Sequence, residues 1–321
     1  MATLKVFATD YNNIRDKVEA LLGTTGIASR GYGQELVSSP VFQGSPINKS
    51  DWDNLSYDII NLKTHQDGTP PPIILLTPGE PIQDGLGFPV RNYNLLAEQA
   101  DTVRFNIGSG RSILTEREVQ TRVGAWNKQA TAQLIVTFGS ANEARYFFNS
   151  GGEIRFTSAR TGGTATPQNS AWTSLLNTIG TQSFKAGSSV GSGLTGLTFY
   201  SLTSTSSIFY ERAATSSYID NAFTIKAKCD IADNSVGGAT ILTFDIFWND
   251  TYIDPDTLVP PVDPPGSQPN FGNGDLVDGT LSISINELRA TGSMVPESPV
   301  RTFDITPPGY SLSTITVTNN T

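Results

Sequence analysis

At 321 residues, with 37% apolar and only 16% charged side chains, the chain is long enough for two or three folded units. Its net charge of −9 and pI near 4.7 repel nucleic acid and anionic membranes, so neither is expected as a partner. One cysteine excludes a disulfide framework, one histidine excludes a multi-histidine metal site, and no apolar run approaches the roughly 18 residues of a membrane span.

Residues 1–125 carry helical signals. "YNNIRDKVEALLG" places Ile14, Val18, Leu21 and Leu22 on one stripe that Gly23 can close. "SDWDNLSYDIINLKTH" begins at a Ser50 cap and sets Trp52, Leu55, Ile59 and Leu62 on one side. "NYNLLAEQADTV" aligns Leu96, Ala100 and Val103, and "TEREVQTRVGAW" opens with a capping box from Thr115 to Glu118, predicting a further helix. Proline-dense segments such as "TPPPIILLTPGEPIQDGLGFP" separate these helices. Short, half-polar helices must pack on something, so Leu21, Trp52, Leu55, Ile59 and Leu62 are expected to form an interface with other subunits.

Residues 126–254 change period. "QLIVTF", "GEIRFTS", "GLTFYSLT", "SSIFYER", "AFTIKAKC" and "TILTFDIFW" are strand-length runs rich in β-branched and aromatic residues. Phe223, Ile225, Ala227 and Cys229 alternate with Thr224, Lys226 and Lys228, which makes Cys229 a core residue. Ser140 and Glu143 start a helix with Ala144, Phe147 and Phe148 on its buried stripe. Gly151 and Gly152 end it as structural turn residues, and Ile154 and Phe156 point inward from the strand that follows. A second helix, capped at Ser170, is expected over "AWTSLLNTI". The expectation is a central α+β domain with both helices on one sheet.

Residues 255–321 begin with "PDTLVPPVDPPGSQPN", too proline-dense for helix or central strand. The strand patterns "TLSISINEL" and "STITVTNN" follow. Leu281, Ile283 and Ile285 alternate with Ser282, Ser284 and Asn286, giving an apolar face that needs a cover. The segment is therefore expected to be a linker and an extended β arm that completes a sheet on a neighbouring subunit.

Candidate chemistry is sparse. A phosphate loop runs strand, glycines, then helix, with a Lys-Ser/Thr pair; the glycines at 151–152 end a helix instead. Gly162-Gly163 precede a helix but lack the lysine. His65 stands where a cation at a helix C-terminus is favourable. The carboxylate pairs Asp51/Asp53 and Asp275/Asp278 are available to glycosidase chemistry but read as helix-start and turn residues. "NGDLVDG" lacks the ligand spacing of a calcium loop. Tyr200, Phe209 and Tyr210 offer an aromatic platform for a sugar, or ordinary core packing. Neither a catalytic nor a cofactor nor a metal site is predicted.

"VFATDYNNIRDKVEALLG", "GYGQELVSSPV" and "SDWDNLSYDIINLKTHQ" resemble the N-terminal part of a group of structural proteins of tailed bacteriophages, particularly those of cyanobacteria. "ARYFFNSGGEIRFTSARTGGTATPQNSAWTSLL" resembles the central domain of the same group. The resemblance implies a non-enzymatic virion component of the tail, baseplate, neck or fibre. Its partners would be copies of itself and other virion proteins. A Ser/Thr content of about a fifth and the lack of a signal-peptide pattern agree with a chain folded in the host cytoplasm and built into a particle. The alternative is a glycan-binding adhesin or receptor-binding tail protein whose central aromatics meet a host surface glycan. The expected fold class is α+β: a short helical N-terminal region (1–125), a β-rich central domain (126–254) and a C-terminal β arm (255–321).

Overall fold

The computed structural model describes residues 7–24, 31–73, 75, 89–188, 191–215, 218–251, 276–294 and 301–318. At the N-terminal end the apolar stripes dictate the packing. α1 (Ala8–Leu22) turns Tyr11, Ile14, Val18, Leu21 and Leu22 inward and stops at Gly23. α2 (Lys49–Asp67) starts just before the expected Ser50 cap, because Asn48 caps it and the Asp51 carboxylate accepts the Asn48 amide at 2.7 Å. Gly68 ends it in the left-handed conformation, φ 81°. α3 (Pro89–Thr102) packs on both, burying Tyr93, Ala97 and Ala100. Trp52 fills the junction of the three, its ring 5.3 Å from Tyr11 and 5.5 Å from Tyr93.

The next element departs from expectation. Residues 115–123 form no helix; they belong to β1 (Ser112–Val123), which pairs antiparallel with β8 (Thr280–Met294) along its length. Glu, Arg and Gln favour helix by only a few tenths of a kcal/mol each, and a complete ladder outweighs that. A bulge at Arg117 interrupts the register between Glu116 and Glu118.

The strands build two antiparallel sheets, where one was expected. The first runs β1, β8, β3 (Glu153–Thr161), β4 (Thr181–Phe184), with β9 (Arg301–Asp304) paired to the end of β8. The second runs β10 (Gly309–Leu312), β2 (Gln129–Thr137), β7 (Ile241–Asn249), β6 (Ala222–Cys229), β5 (Ser207–Ala213), with β11 (Thr316–Thr318) also on β2. Phe156 of β3 and Phe184 of β4 each lie 5.0 Å from Phe244 of β7, so the inward sides of the two sheets share a core. α4 (Ala141–Asn149) joins β2 to β3, and α5 (Pro167–Ile179) joins β3 to β4. α5 is capped by Thr166 with Pro167 in its first turn, ahead of the expected Ser170. "GLTFYSLT" makes a short 3₁₀ turn (Phe199–Ser201) in place of the expected strand, with Phe199 stacked on Phe148 at 4.3 Å.

The chain is α+β, with N-terminal helices and two antiparallel sheets. The arm reading needs correction. Leu281, Ile283 and Ile285 are buried on β8, the strand held between β1 and β3 of its own chain, and β10 and β11 both pair with β2. The boundaries at 125 and 254 therefore cut across paired strands, and buried residues from Tyr11 to Ile315 belong to one apolar cluster. The proline-dense stretch 255–269 and most of residues 69–89 lie outside the described residues. Among the described residues, no helix is long and apolar enough to cross a membrane.

Candidate functional site

The residues expected at an N-terminal interface are inside the molecule. Trp52, Leu55, Ile59 and Leu62 have no exposed surface and Leu21 is 2% exposed. The three helices, packed on each other and on the strands behind them, cover these stripes internally. They are core, and the interface expectation for them is corrected.

The glycine turns are architectural. The Ser140 hydroxyl accepts the Glu143 amide, and the Glu143 carboxylate accepts the Gly139 amide. Gly151 then reverses the chain at φ 89°, and Gly152 donates its amide to the Phe147 carbonyl at 2.9 Å. At the second glycine pair, the Thr164 amide and hydroxyl both donate to the Asp278 carboxylate, at 3.0 and 2.9 Å, where Arg160 and Asn169 also donate. A carboxylate of the protein itself holds those donors. Asp278 is thus a loop staple; Asp275 lies outside the described residues. Asp51 caps α2 and Asp53 pairs with Lys49.

His65 is not a helix-end cation. Its ring stacks on Phe303 at 4.3 Å, meets Tyr32 edge-on at 5.0 Å, and lies 2.9 Å through Nε2 from the Ser150 carbonyl. Burial drives its pKa down to about 4, so it is neutral near pH 7 and its Nε2–H donates to Ser150. Cys229 is buried, and burial pushes its thiol up. Phe209 and Tyr210 are 1% and 0% exposed, and Tyr200 is half-buried with its hydroxyl donated to Asn149 at 2.6 Å. These three rings form no sugar platform. Among the described residues, no group of three or more His, Cys, Asp and Glu side chains could hold a metal ion.

A feature not foreseen in the sequence lies behind β1. Glu287 of β8, with no exposed side chain, accepts from Arg117 at 2.8 and 3.2 Å and from Arg289 at 3.1 Å. Arg289 continues to Asp304 and the Ile305 carbonyl. Arg117 also lies 5.8 Å over the Tyr310 ring of the second sheet. Burial and the Glu287 charge push the Tyr310 phenol well above its ordinary range. The parity of "SISINEL" held the clue, because an acidic residue at 287 shares its face with Leu281, Ile283 and Ile285.

The β1 edge is the surface this network supports. Among the described residues no strand pairs with the other side of β1, although the strand is 12 residues long. The remaining edges are short or already bonded. Gly193 and Thr195 bond along β5, while β4, β10 and β11 have only four, four and three residues. The bulge at Arg117 shifts the alternation, so Leu114, Val119 and Val123 stand opposite Leu288, Ser284 and Thr280 on one side of the sheet. They are 55%, 44% and 78% exposed. Glu118, Gln120 and Arg122 stand on the other side, opposite Ile285, Ile283 and Leu281. The bulge and the charges Glu118 and Arg122 on the inward side guard this edge against indiscriminate pairing, so a long edge with an apolar row beside it suits a partner whose own charges match them. A groove of about 370 Å³ between α5 and the end of β5, lined by Ser170, Ser174, Thr178, Arg212 and Tyr218, has no comparable arrangement of groups aimed at one point.

Comparison with protein-family models, with curated proteins and with solved structures finds no match.

Proposed function

We propose that the chain is a non-enzymatic structural subunit of a tailed-bacteriophage particle, acting through protein contacts in its tail, baseplate, neck or fibre. The observation that carries this reading is the β1 edge. Its backbone groups and the row Leu114, Val119, Val123 are a hazard in an isolated protein and an asset in an assembly, where a neighbour covers them. The buried Arg117–Glu287–Arg289 network behind the edge fixes β1 against β8, so the surface is pre-shaped for docking. The segments that resemble phage structural proteins form α1, α2, α4, β3 and α5, the parts that hold the helices and the sheets in place.

The receptor-binding alternative has lost its expected aromatic platform, since Phe209 and Tyr210 are covered and Tyr200 is committed to Asn149. The test is protein analysis and imaging of purified particles with this chain labelled. A fixed copy number at one location supports the reading. Absence of the chain from washed particles overturns it.

A further inference from the structure

We infer that two copies of this chain pair through β1, edge to edge and antiparallel, about a two-fold axis at Gln120. The inference rests on the reading of β1 as an assembly edge and names the partner that fits it.

The charge pattern selects both the partner and the register. In an antiparallel pair about a two-fold axis, opposed residues must lie on the same side of the sheet, and a one-residue slip would violate this for every pair. Beyond the bulge, Glu118, Gln120 and Arg122 share one side, and Val119, Thr121 and Val123 share the other. With the axis at Gln120, Glu118 faces Arg122 of the second copy, and Arg122 faces the second copy's Glu118. Val119 meets Thr121 twice on the opposite side, a pair of β-branched residues suited to cross-strand contact.

Neighbouring registers fail. An axis at Val119 would bring Arg122 toward Glu116, which the bulge has placed on the other side. An axis at Thr121 would set Glu118 against Gly124 and Arg122 against Gln120. Only the Gln120 register satisfies both charges.

Those charges are available. Glu118 makes no ion pair or hydrogen bond with the described residues, and Arg122 donates only to the Gly124 carbonyl at 2.9 Å. An isologous contact of this kind uses one patch twice and closes on itself, as a dimer requires. It joins the β1–β8–β3–β4 sheets of two copies into one continuous sheet. Main-chain bonds supply the attraction and the Glu118–Arg122 pairs set the register.

Sedimentation velocity on the full chain tests the inference through three samples. Wild type should show a reversible, concentration-dependent dimer. Glu118→Arg and Arg122→Glu should each be monomeric and still melt cooperatively, because each sets like charges opposite one another without disturbing the fold. An equimolar mixture of the two variants should associate again, since every opposed pair then carries opposite charges. A wild type that stays monomeric at its highest soluble concentration overturns the inference. So does a mixture that associates no better than its components. Particle composition separates this outcome from failure of the broader reading: a monomeric chain that is nevertheless built into particles removes the β1 pairing alone.

Discussion

Arg117 on the β1 bulge donates two hydrogen bonds, 2.8 and 3.2 Å long, to the fully buried carboxylate of Glu287 on β8. The bulge and the ion pair explain one another. The extra residue lets Arg117 leave the ladder and reach inward, and a buried carboxylate needs cations and hydrogen bonds around it. Glu287→Gln keeps the shape but leaves Arg117 and Arg289 facing a neutral group. The expected cost is about 3–5 kcal/mol, the range for removing one partner of a buried pair. Urea unfolding should show it as a lower midpoint. A shift within the error of the wild-type curve would mean that the two guanidinium groups reach solvent on their own.

His65 gives the fold a pH dependence with a definite sign. Folded, it titrates near pH 4 because burial penalises the cation. In the unfolded chain it titrates near its ordinary value of about 6.5. Between those values the unfolded state binds more protons. The stabilisation is therefore complete above about pH 6.5 and falls as the pH drops toward 4, by roughly 3 kcal/mol over the whole interval. His65→Gln retains a donor for the Ser150 carbonyl and removes the titration. The difference between the two stability–pH curves isolates this group from the carboxylates, and parallel curves would refute the assignment.

Local signals in the sequence were legible and non-local ones were not. The Ser140 cap, the Phe147–Phe148 stripe and the Gly151 turn each depend on residues a few positions apart and are present, and β6 alternates as expected except that Thr224, expected on the wet face, is buried. "TEREVQTRV" carries helix-favouring residues, while the partner of β1, β8, lies more than 150 residues away, so local signals favour a helix where the long-range ladder makes a strand. Without β1 as a strand, Leu281, Ile283 and Ile285 have no partner near in sequence and the edge of β1 is invisible. The buried charge of Glu287 was readable from its parity on the strand, but Arg117 was not, since a bulge cannot be located without its partner strand.

Gly151 separates backbone strain from steric conflict. Its φ of 89° disfavours any side chain, and a Cβ there would meet the Phe105 carbonyl oxygen at 2.7 Å as well as the Ile107 side chain. Gly162 has a φ of 69° but open space around its Cβ position. Gly162→Ala should therefore cost about 1–2 kcal/mol from conformation alone. Gly151→Ala should cost more, since Phe105 and Ile107 must also move. Thermal melts of the two variants give the comparison directly. Equal losses would mean that the 105–107 segment yields without penalty.

Cutting the chain after Asp254 removes β8, β9, β10 and β11 together. The first sheet loses its middle strand, so β1 and β3 no longer have a common partner, and β2 loses both strands on its outer side. The inward face carried by Leu281, Ile283 and Ile285 also disappears, and Phe156 loses its strand neighbour Ile285. Each fully buried side chain of that size contributes about 1.5–3 kcal/mol. Three such losses amount to about 4.5–9 kcal/mol before the missing ladders are counted, comparable with the whole reserve of a folded protein, about 5–15 kcal/mol. The truncated chain should be insoluble, or soluble without a cooperative melt and without near-ultraviolet circular dichroism. A truncated protein that melts cooperatively and retains that signal would show that the C-terminal strands are dispensable to the core, and would restore their reading as an arm exchanged between subunits.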